Sequence, residues 1–222
     1  MKIKIRNPYL WLALLSLILF AVFVILVSAV DVQPIGPEKS FIGLATINAF
    51  FRDNITPCSA CYVITQILGY VALVVALAFA VTGVVQLFKR KHFSLVDKEI
   101  LALGVVYVLT VATYVGFEIF PLNYRPILAD GELAASFPSS HTMLFITVMC
   151  TGLIAVEHKI RSAPLRATAI ASTALLSVAM VVLRTLSGVH WFTDIIGGIL
   201  LSLTFVLCYK AILSSKALTE KE

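Results

Sequence analysis

The stretch NYRPILADGELAASFPSSH, from Asn123 to His141, is complemented by LRTLSGVHWFTD, from Leu183 to Asp194. The sequence around both stretches is apolar over lengths that cross a membrane. Within them lie arginines, histidines, a serine and an aspartate for which the sequence offers no structural reason. Because an ionisable group is costly at membrane depth, each is a candidate for a functional site. We therefore expect the two stretches to meet in one site at the ends of membrane-spanning helices.

The composition identifies an integral membrane protein. Hydrophobic residues make up 60% of the 222 residues and charged residues only 13%, and the mean hydropathy is +0.99. A soluble domain needs about 25% charged residues to cover its surface. The net charge of +5 does not indicate nucleic-acid binding, because the basic residues form short clusters between apolar runs, as in cytoplasmic loops.

The apolar runs predict an all-α membrane protein, a bundle of six transmembrane helices. The first run exceeds the roughly 7 to 15 apolar residues of a signal peptide and is interpreted as a retained helix. After it, apolar residues three and four apart in FIGLATINAFFRD predict a short interfacial amphipathic helix over 41–53. We expect a single membrane domain over 1–222, with spans at 8–30, 63–87, 100–120, 142–156, 167–186 and 191–209.

The positive charges predict the orientation. With the N-terminus cytoplasmic, 13 of the 17 Lys and Arg residues lie in inner segments, and such a bias sets topology. The outer side then keeps only Lys39, Arg52, Arg125 and Arg184. We therefore expect a multi-pass protein of the cell membrane with both termini cytoplasmic. Both polar stretches then lie on the extracytoplasmic face, where one site can form.

The residues gathered there suit phosphate chemistry. Arg125 and Arg184 stay charged and can bind phosphate oxygens in bidentate fashion. The segment from Pro138 to His141 opens a helix, so that free backbone N–H groups and the hydroxyls of Ser139 and Ser140 are available to an anion. Together these features predict an oxyanion-binding cradle.

The second stretch predicts a nucleophile. His190 and Asp194 are four residues apart at a helix start, so that the carboxylate can bond one ring nitrogen and leave the other as nucleophile or base. His141, from another helix, is then available to protonate a leaving oxygen. This division of roles suits phosphoryl transfer through a phosphohistidine.

Each residue also has an ordinary structural interpretation. Arg184 can snorkel to the interface, Ser139 and Ser140 can cap a helix, and His190 with Trp191 can anchor the chain at the interface. If all of these ordinary interpretations held, the residues would lie together at one membrane face only by coincidence. A metal site built from His190, Asp194 and His141 is a lesser alternative.

The motifs resemble the three-part signature of the type 2 phosphatidic acid phosphatase (PAP2) superfamily. Arg125-Pro126 is similar to the end of the first motif, PSSH at 138–141 to the second, and Arg184, His190 and Asp194 to the third. The resemblance covers roughly residues 100–205 and the six-span layout. It implies His190 as nucleophile, Asp194 as its orienting partner and His141 as general acid. It also implies that Arg125, Ser139 and Arg184 hold the phosphate, with no metal or other cofactor.

The chain departs from the family's pattern at three positions. Where the first motif usually begins with lysine, seven residues before the arginine, the sequence has Glu118. Leu183 replaces the usual serine of the third motif and Ser140 the frequent glycine of the second. An unpaired carboxylate within about 5 Å of a bound phosphate costs on the order of a few kcal/mol. We therefore expect Glu118 to turn away, pair with an arginine or carry a proton, and to make the site weaker or more selective.

The predicted function is removal of phosphate from a lipid phosphate or diphosphate at the outer leaflet. An isoprenoid diphosphate such as undecaprenyl diphosphate, phosphatidylglycerol phosphate and phosphatidic acid all fit, and the sequence does not rank them. Two alternatives stay open. One is a phosphotransferase that passes the phosphoryl group to another acceptor, and the other is a catalytically silent protein that binds or transports lipid phosphates, which Glu118 would help to explain.

The four cysteines do not indicate a disulfide framework. Cys150 and Cys208 lie inside apolar runs, where cysteine packs as a small hydrophobic residue. Cys58 and Cys61 form a C-x-x-C pair, a weak signal for a metal or redox site. The favoured interpretation of this pair is two small residues near a helix start.

Overall fold

The computed structural model describes residues 7–215, and this part of the chain is helical with only isolated β-bridges. Within residues 7–215, six helices are long and apolar enough to span a membrane, which confirms the predicted fold class. The helices are α1 (Pro8–Ala29), α2 (Ala45–Asn54), α3 (Ser59–Arg90), α4 (Lys98–Ile119), α5 (Ser140–Val156), α6 (Ala163–Leu186) and α7 (Phe192–Leu213). The N-terminal residues 1–6, which were expected on the cytoplasmic side, lie outside the described part.

Some helix ends differ from the sequence-based expectation. The last span was expected to end at residue 209, but α7 continues to Leu213. The side chain of Lys210 lies over the ring of Tyr9, 5.5 Å from its centroid, and Asn7 Nδ2 donates to the backbone oxygen of Ala211 at 2.8 Å. The last turn of α7 is therefore fixed by the start of α1, which sequence periodicity does not reveal.

Helix α7 lies at the centre of the bundle, against α1 and α5. Its buried polar groups pair with other helices, as where Thr204 Oγ1 donates to Ser16 Oγ at 2.9 Å. A Cβ atom on Gly197 would lie 2.5 Å from the ring of Phe137. Glycine at this position therefore allows the segment before α5 to approach α7 closely.

The short helix after the first span is present, but it begins later than predicted. Leu44 has a left-handed backbone conformation, with φ 48°, so that α2 starts only at Ala45. Phe41 and Phe50 expose 65% and 61% of their surface, which suits residues in a membrane interface. Phe51 stacks on Phe192 with a centroid distance of 3.8 Å and thereby attaches α2 to the start of α7.

The favoured interpretation of the C-x-x-C pair as two unbonded small residues was wrong. Cys58 and Cys61 form a disulfide bond at the start of α3. The Cys58 N–H also donates to the backbone oxygen of Leu186 at 2.9 Å. The start of α3 is thus held beside the end of α6, at the end of the bundle where the two polar stretches meet.

Candidate active site

The loop between α4 and α5 carries the first polar stretch and folds back on itself. Arg125 N–H donates to the backbone oxygen of Ala134 and Ser136 N–H to that of Asn123, both at 2.9 Å. Phe137, only 1% exposed, enters the core after this hairpin and stacks on Phe20 at 6.1 Å between centroids. A buried aromatic anchor thus fixes the residues on either side of it.

Arg184, near the end of α6, is the central charged group of the site. It is 1% exposed, and its Nη1 donates to Thr65 Oγ1 at 3.1 Å, while Tyr62 presents its ring 5.6 Å away. No carboxylate lies within 4.0 Å of its guanidinium among residues 7–215, and its Nε has no hydrogen-bond partner there. A buried cation without a counter-ion is costly, so this geometry favours an anionic ligand.

Arg184 also determines the tautomers of both histidines. Its Nη2 lies 3.2 Å from His141 Nδ1 and 3.3 Å from His190 Nε2. A guanidinium only donates hydrogen bonds, so both ring nitrogens must accept. The proton of His141 is then on Nε2 and that of His190 on Nδ1. The lone pair of His190 Nε2 therefore points into the site, as a nucleophile requires.

His190 and Asp194 are linked through a third residue, and not directly as expected. His190 Nδ1 lies 3.6 Å from Asp194 Oδ2, longer than a hydrogen bond. Ser136 Oγ lies between them, 3.1 Å from His190 Nδ1 and 2.5 Å from Asp194 Oδ2. Because Nδ1 carries the proton, His190 donates to Ser136 and Ser136 donates to Asp194.

Asp194 is fully buried and accepts hydrogen bonds only from neutral groups in the described chain. Besides Ser136, the N–H of Trp191 donates to Oδ2 at 2.9 Å, and Asn123 Nδ2 lies 3.5 Å from Oδ1. Asn123 in turn accepts from Gly43 N–H at 3.4 Å. The carboxylate is thus tied to the loop before α5 and to the segment after α1.

The start of α5 has the features of an anion-binding helix end. The first N–H groups of any helix lack intrahelical partners, and here Ser140 is the first residue of α5. Ser139 is fully buried, and its hydroxyl lies 3.1 Å from that of Thr142. The Ser139 hydroxyl therefore contacts a phosphate only after exchanging this bond, whereas Ser140 lines a cavity with Arg125 and His190.

His141 is placed by a close approach of α5 to α3. A Cβ atom on Gly69 would lie 2.8 Å from His141 Cδ2, so the imidazole occupies space that only glycine leaves free. Both residues line a cleft of about 430 Å³ between α3, α4 and α5. His141 thus contacts Arg184 on one side and this cleft on the other.

Glu118 lies near the end of α4 and lines the same small cavity as Arg125, Ser140 and His190. It does not turn away from the site, and no ion pair to it within 4.0 Å exists among residues 7–215. The helix ends at Ile119, so Glu118 and Arg125 are not two turns apart on one helix. They meet because the loop carries Arg125 back over the end of α4, where its Nε donates to Ala135 O at 3.2 Å.

The electrostatics of the site keep His190 neutral. Burial first, and then the positive charges of Arg184 and Arg125, hold the pKa of His190 well below its ordinary value. A neutral imidazole retains the Nε2 lone pair throughout the physiological pH range.

In residues 7–215, no group of three or more His, Cys, Asp or Glu side chains is arranged to hold a metal ion.

Comparison with known proteins identifies the family. A family model described as the PAP2 superfamily matches residues 100–216, more than half of the chain. The protein therefore belongs to the PAP2 superfamily. None of the curated proteins matches the chain.

A solved structure shares the fold. It is described as the crystal structure of the first transmembrane PAP2-type phosphatidylglycerolphosphate phosphatase from Bacillus subtilis. The two chains are 18% identical with a TM-score of 0.57, and the match covers 94% of this chain and 96% of the other. At this identity the likeness establishes the fold of a PAP2-type membrane phosphatase over nearly the whole chain.

The structure brings the predicted residues together and adds others. Arg184, His141, His190 and Asp194 form one connected network, and Arg125 and Ser140 line the adjoining cavity. Sequence reasoning missed Ser136, Asn123, Thr65 and Tyr62, which contact this network. Ser136 and Asn123 lie inside the first polar stretch, so their polar character was visible in the sequence, but their contacts depend on the folding of the loop. Thr65 and Tyr62 lie in an apolar span and gave no signal in the sequence.

Proposed function

We propose that the protein hydrolyses the phosphomonoester or diphosphate of a membrane lipid through a phosphohistidine on His190. The observation that carries this proposal is the buried Arg184, whose Nη2 contacts the nitrogens of both imidazoles. This cation has no carboxylate within 4.0 Å in the described part of the chain and lies between the candidate nucleophile and the candidate acid. A phosphoryl group bound there would contact all three.

The reaction has two steps. Nε2 of His190 attacks phosphorus, the N–P bond forms, and the bond from phosphorus to the leaving oxygen breaks. Protonated His141 gives the Nε2 proton to that oxygen. When Arg184 Nη2 turns its hydrogen bonds from the two imidazoles to phosphate oxygens, the lone pair of His190 Nε2 becomes available for attack and His141 can take up its second proton at Nδ1. Water then forms the new O–P bond, its proton returns to His141, the N–P bond breaks, and inorganic phosphate leaves.

The phosphate is held by the two arginines and the start of α5. Arg184 and Arg125 neutralise its charge, and the N–H and hydroxyl of Ser140 contact its oxygens, joined by the Ser139 hydroxyl once that group exchanges its bond to Thr142. Charge stabilisation in a site closed to water supplies most of the rate in such reactions. This set of donors requires no metal, so activity should persist in excess chelator.

The cleft that His141 lines favours a lipid substrate. Its wall is mostly apolar, and its apolar residues include Leu73, Val111, Met143 and Leu144. A second apolar groove of about 660 Å³ lies between the next turns of α3 and α4. A lipid whose phosphate is bound at Arg184 can therefore place its tail between these helices while remaining in the bilayer.

The extracytoplasmic position of the site rests on the charge distribution of the loops. The basic clusters KRK at 89–91 and the loop after α5 lie at the end of the bundle opposite the site. By the positive-inside rule, that opposite end is cytoplasmic. The candidate substrates are isoprenoid diphosphates, phosphatidic acid and phosphatidylglycerol phosphate, the last of which is named in the description of the similar structure.

The test is phosphate release by purified protein in vesicles. Phosphatidic acid, phosphatidylglycerol phosphate and a prenyl diphosphate are compared, with and without chelator, for the wild type and for His190→Ala. We expect chelator-insensitive release from at least one lipid and acid-labile phosphate on the wild-type protein only. Release that persists in the variant would exclude His190 as the nucleophile.

A second candidate, a silent lipid-phosphate binder, is favoured by one observation. Glu118 places a carboxylate in the cavity of Arg125 and His190. Binding of a lipid phosphate without release of phosphate from any lipid tested would support this function. A phosphotransferase would instead show release that falls, and a phosphorylated acceptor that appears, when acceptor alcohols are added.

A further inference from the structure

The connection between His190 and Asp194 depends on Ser136. The two outer residues are 3.6 Å apart, while Ser136 Oγ lies within hydrogen-bond distance of both. We propose that Ser136 is a positioning residue that transmits the charge of Asp194 to His190 during phosphoryl transfer. This inference rests on the proposed function. Ser136 does not belong to any of the three sequence motifs.

The surroundings of Ser136 give it a fixed position. It is 2% exposed, its N–H is bonded to the backbone oxygen of Asn123, and the next residue, Phe137, is buried in the core. Its hydroxyl must accept from His190 Nδ1–H, because Nε2 accepts from Arg184. Its own proton is therefore directed to Asp194. Ser136 thus orients the ring and holds the tautomer in which Nε2 carries no proton.

The chemistry explains why this chain of hydrogen bonds strengthens during the reaction. When the N–P bond forms at Nε2, positive charge develops on the imidazole and the Nδ1–H becomes a stronger donor. Ser136 accepts that stronger bond while it donates to the Asp194 carboxylate. An interaction that is stronger in the transition state than in the ground state raises kcat and leaves KM almost unchanged.

The experiment compares Ser136→Ala with Ser202→Ala. Ser202 is also a fully buried serine, but its hydroxyl only donates to the Ile199 backbone oxygen of its own helix. We expect Ser136→Ala to lower kcat and phosphoenzyme formation about tenfold to a hundredfold, with KM within about twofold. Ser202→Ala should retain wild-type kinetics. Ser136→Cys, similar in size with a weaker donor and acceptor, should fall between wild type and Ser136→Ala.

A double-mutant cycle separates transmission from packing. If Ser136 acts through Asp194, then the double variant Ser136→Ala/Asp194→Asn should lower kcat no further than the more damaging of the two single changes does. Additive losses would overturn the inference, as would a Ser136→Ala variant that behaves like Ser202→Ala. Thermal unfolding of each variant shows whether a loss of rate follows a loss of fold.

The pH profile gives an independent measurement. The charged and titratable groups around His190 are Arg184, His141, Asp194, Arg125 and Glu118. Loss of the Ser136 acceptor removes a bond that favours protonated His190, so the acidic limb of kcat/KM should move to lower pH. An unshifted limb with a lower plateau would indicate a merely structural role. Wild-type protein that releases no phosphate would overturn the proposed function as well, whereas labelled phosphohistidine with a normal Ser136→Ala variant would overturn this inference alone.

Discussion

The half of the bundle around α5 and α7 differs from the α3–α4 pair in what it buries. Half of the α7 span and 44% of the α5 span are buried, but only 6% of the α3 span is. The ionisable groups of the candidate site lie where α5, α6 and α7 meet, with α3 and α4 forming the apolar groove beside them. This contrast fits the proposed function, in which the buried half carries out the chemistry and the α3–α4 pair binds the lipid tail.

The largest expected effect comes from Arg184, the central group of the buried half. We expect Arg184→Met to lower turnover about 10³-fold or more, because a cation that neutralises a transferring phosphoryl group supplies much of its stabilisation. A buried cation without a counter-ion costs free energy on folding, and an apolar residue of similar length does not carry that cost. The unfolding temperature should therefore stay equal or rise, as measured by thermal unfolding in detergent.

Arg90→Met is the control, since Arg90 is exposed, pairs with Asp97 at 2.7 Å and lies at the end of α3 opposite the site. It should leave turnover unchanged. An Arg184→Met variant that keeps its activity would show that the phosphate is not held in the buried half of the bundle, around α5 and α7.

The second expected effect tests His141, where the two regions meet. His141→Asn should lower turnover of a lipid phosphate about 10²- to 10⁴-fold, because the leaving alkoxide then lacks its proton donor. A p-nitrophenyl ester needs no proton on its leaving group, so its turnover should fall much less. The ratio of the two losses is the measurement, and equal losses for both substrates would contradict the role of general acid.

Part of the fold and of the candidate site was predictable from the sequence, and part was not. The spans, the charge bias and the motif residues predicted six helices and the meeting of Arg184, His141, His190 and Asp194, because hydropathy and motif spacing are local signals. Ser136 between His190 and Asp194 was not predicted, since its position depends on the hairpin of residues 123–136. The same holds for the Cys58–Cys61 bond. C-x-x-C spacing alone fits a disulfide, a metal site or two unbonded residues.

A smaller effect is expected in the open region. Val111 lines the cleft next to His141, and Val111→Trp should fill it. We expect KM for a long-chain lipid phosphate to rise about tenfold, since burial of a lipid chain contributes about 0.8 kcal/mol per CH₂. Hydrolysis of a short water-soluble phosphate ester should change little.

Val115→Trp is the matched control, because Val115 is an exposed residue of the same helix that is absent from the cleft lining. An equal loss for both substrates, or equal effects of both variants, would argue against tail binding between α3 and α4.

The smallest expected effect concerns Glu118, at the boundary of the two regions. Its carboxylate repels a phosphate bound at Arg125, but its exposure to solvent weakens that repulsion. We expect Glu118→Lys to lower KM about threefold to tenfold, Glu118→Gln to fall between, and both effects to shrink at high salt. Glu132→Lys makes the same charge change at an exposed loop position and should alter KM less. If Glu118→Lys changes neither affinity nor turnover, Glu118 plays no part in the selectivity of the site, and the repulsion inferred from its place in the cavity is absent.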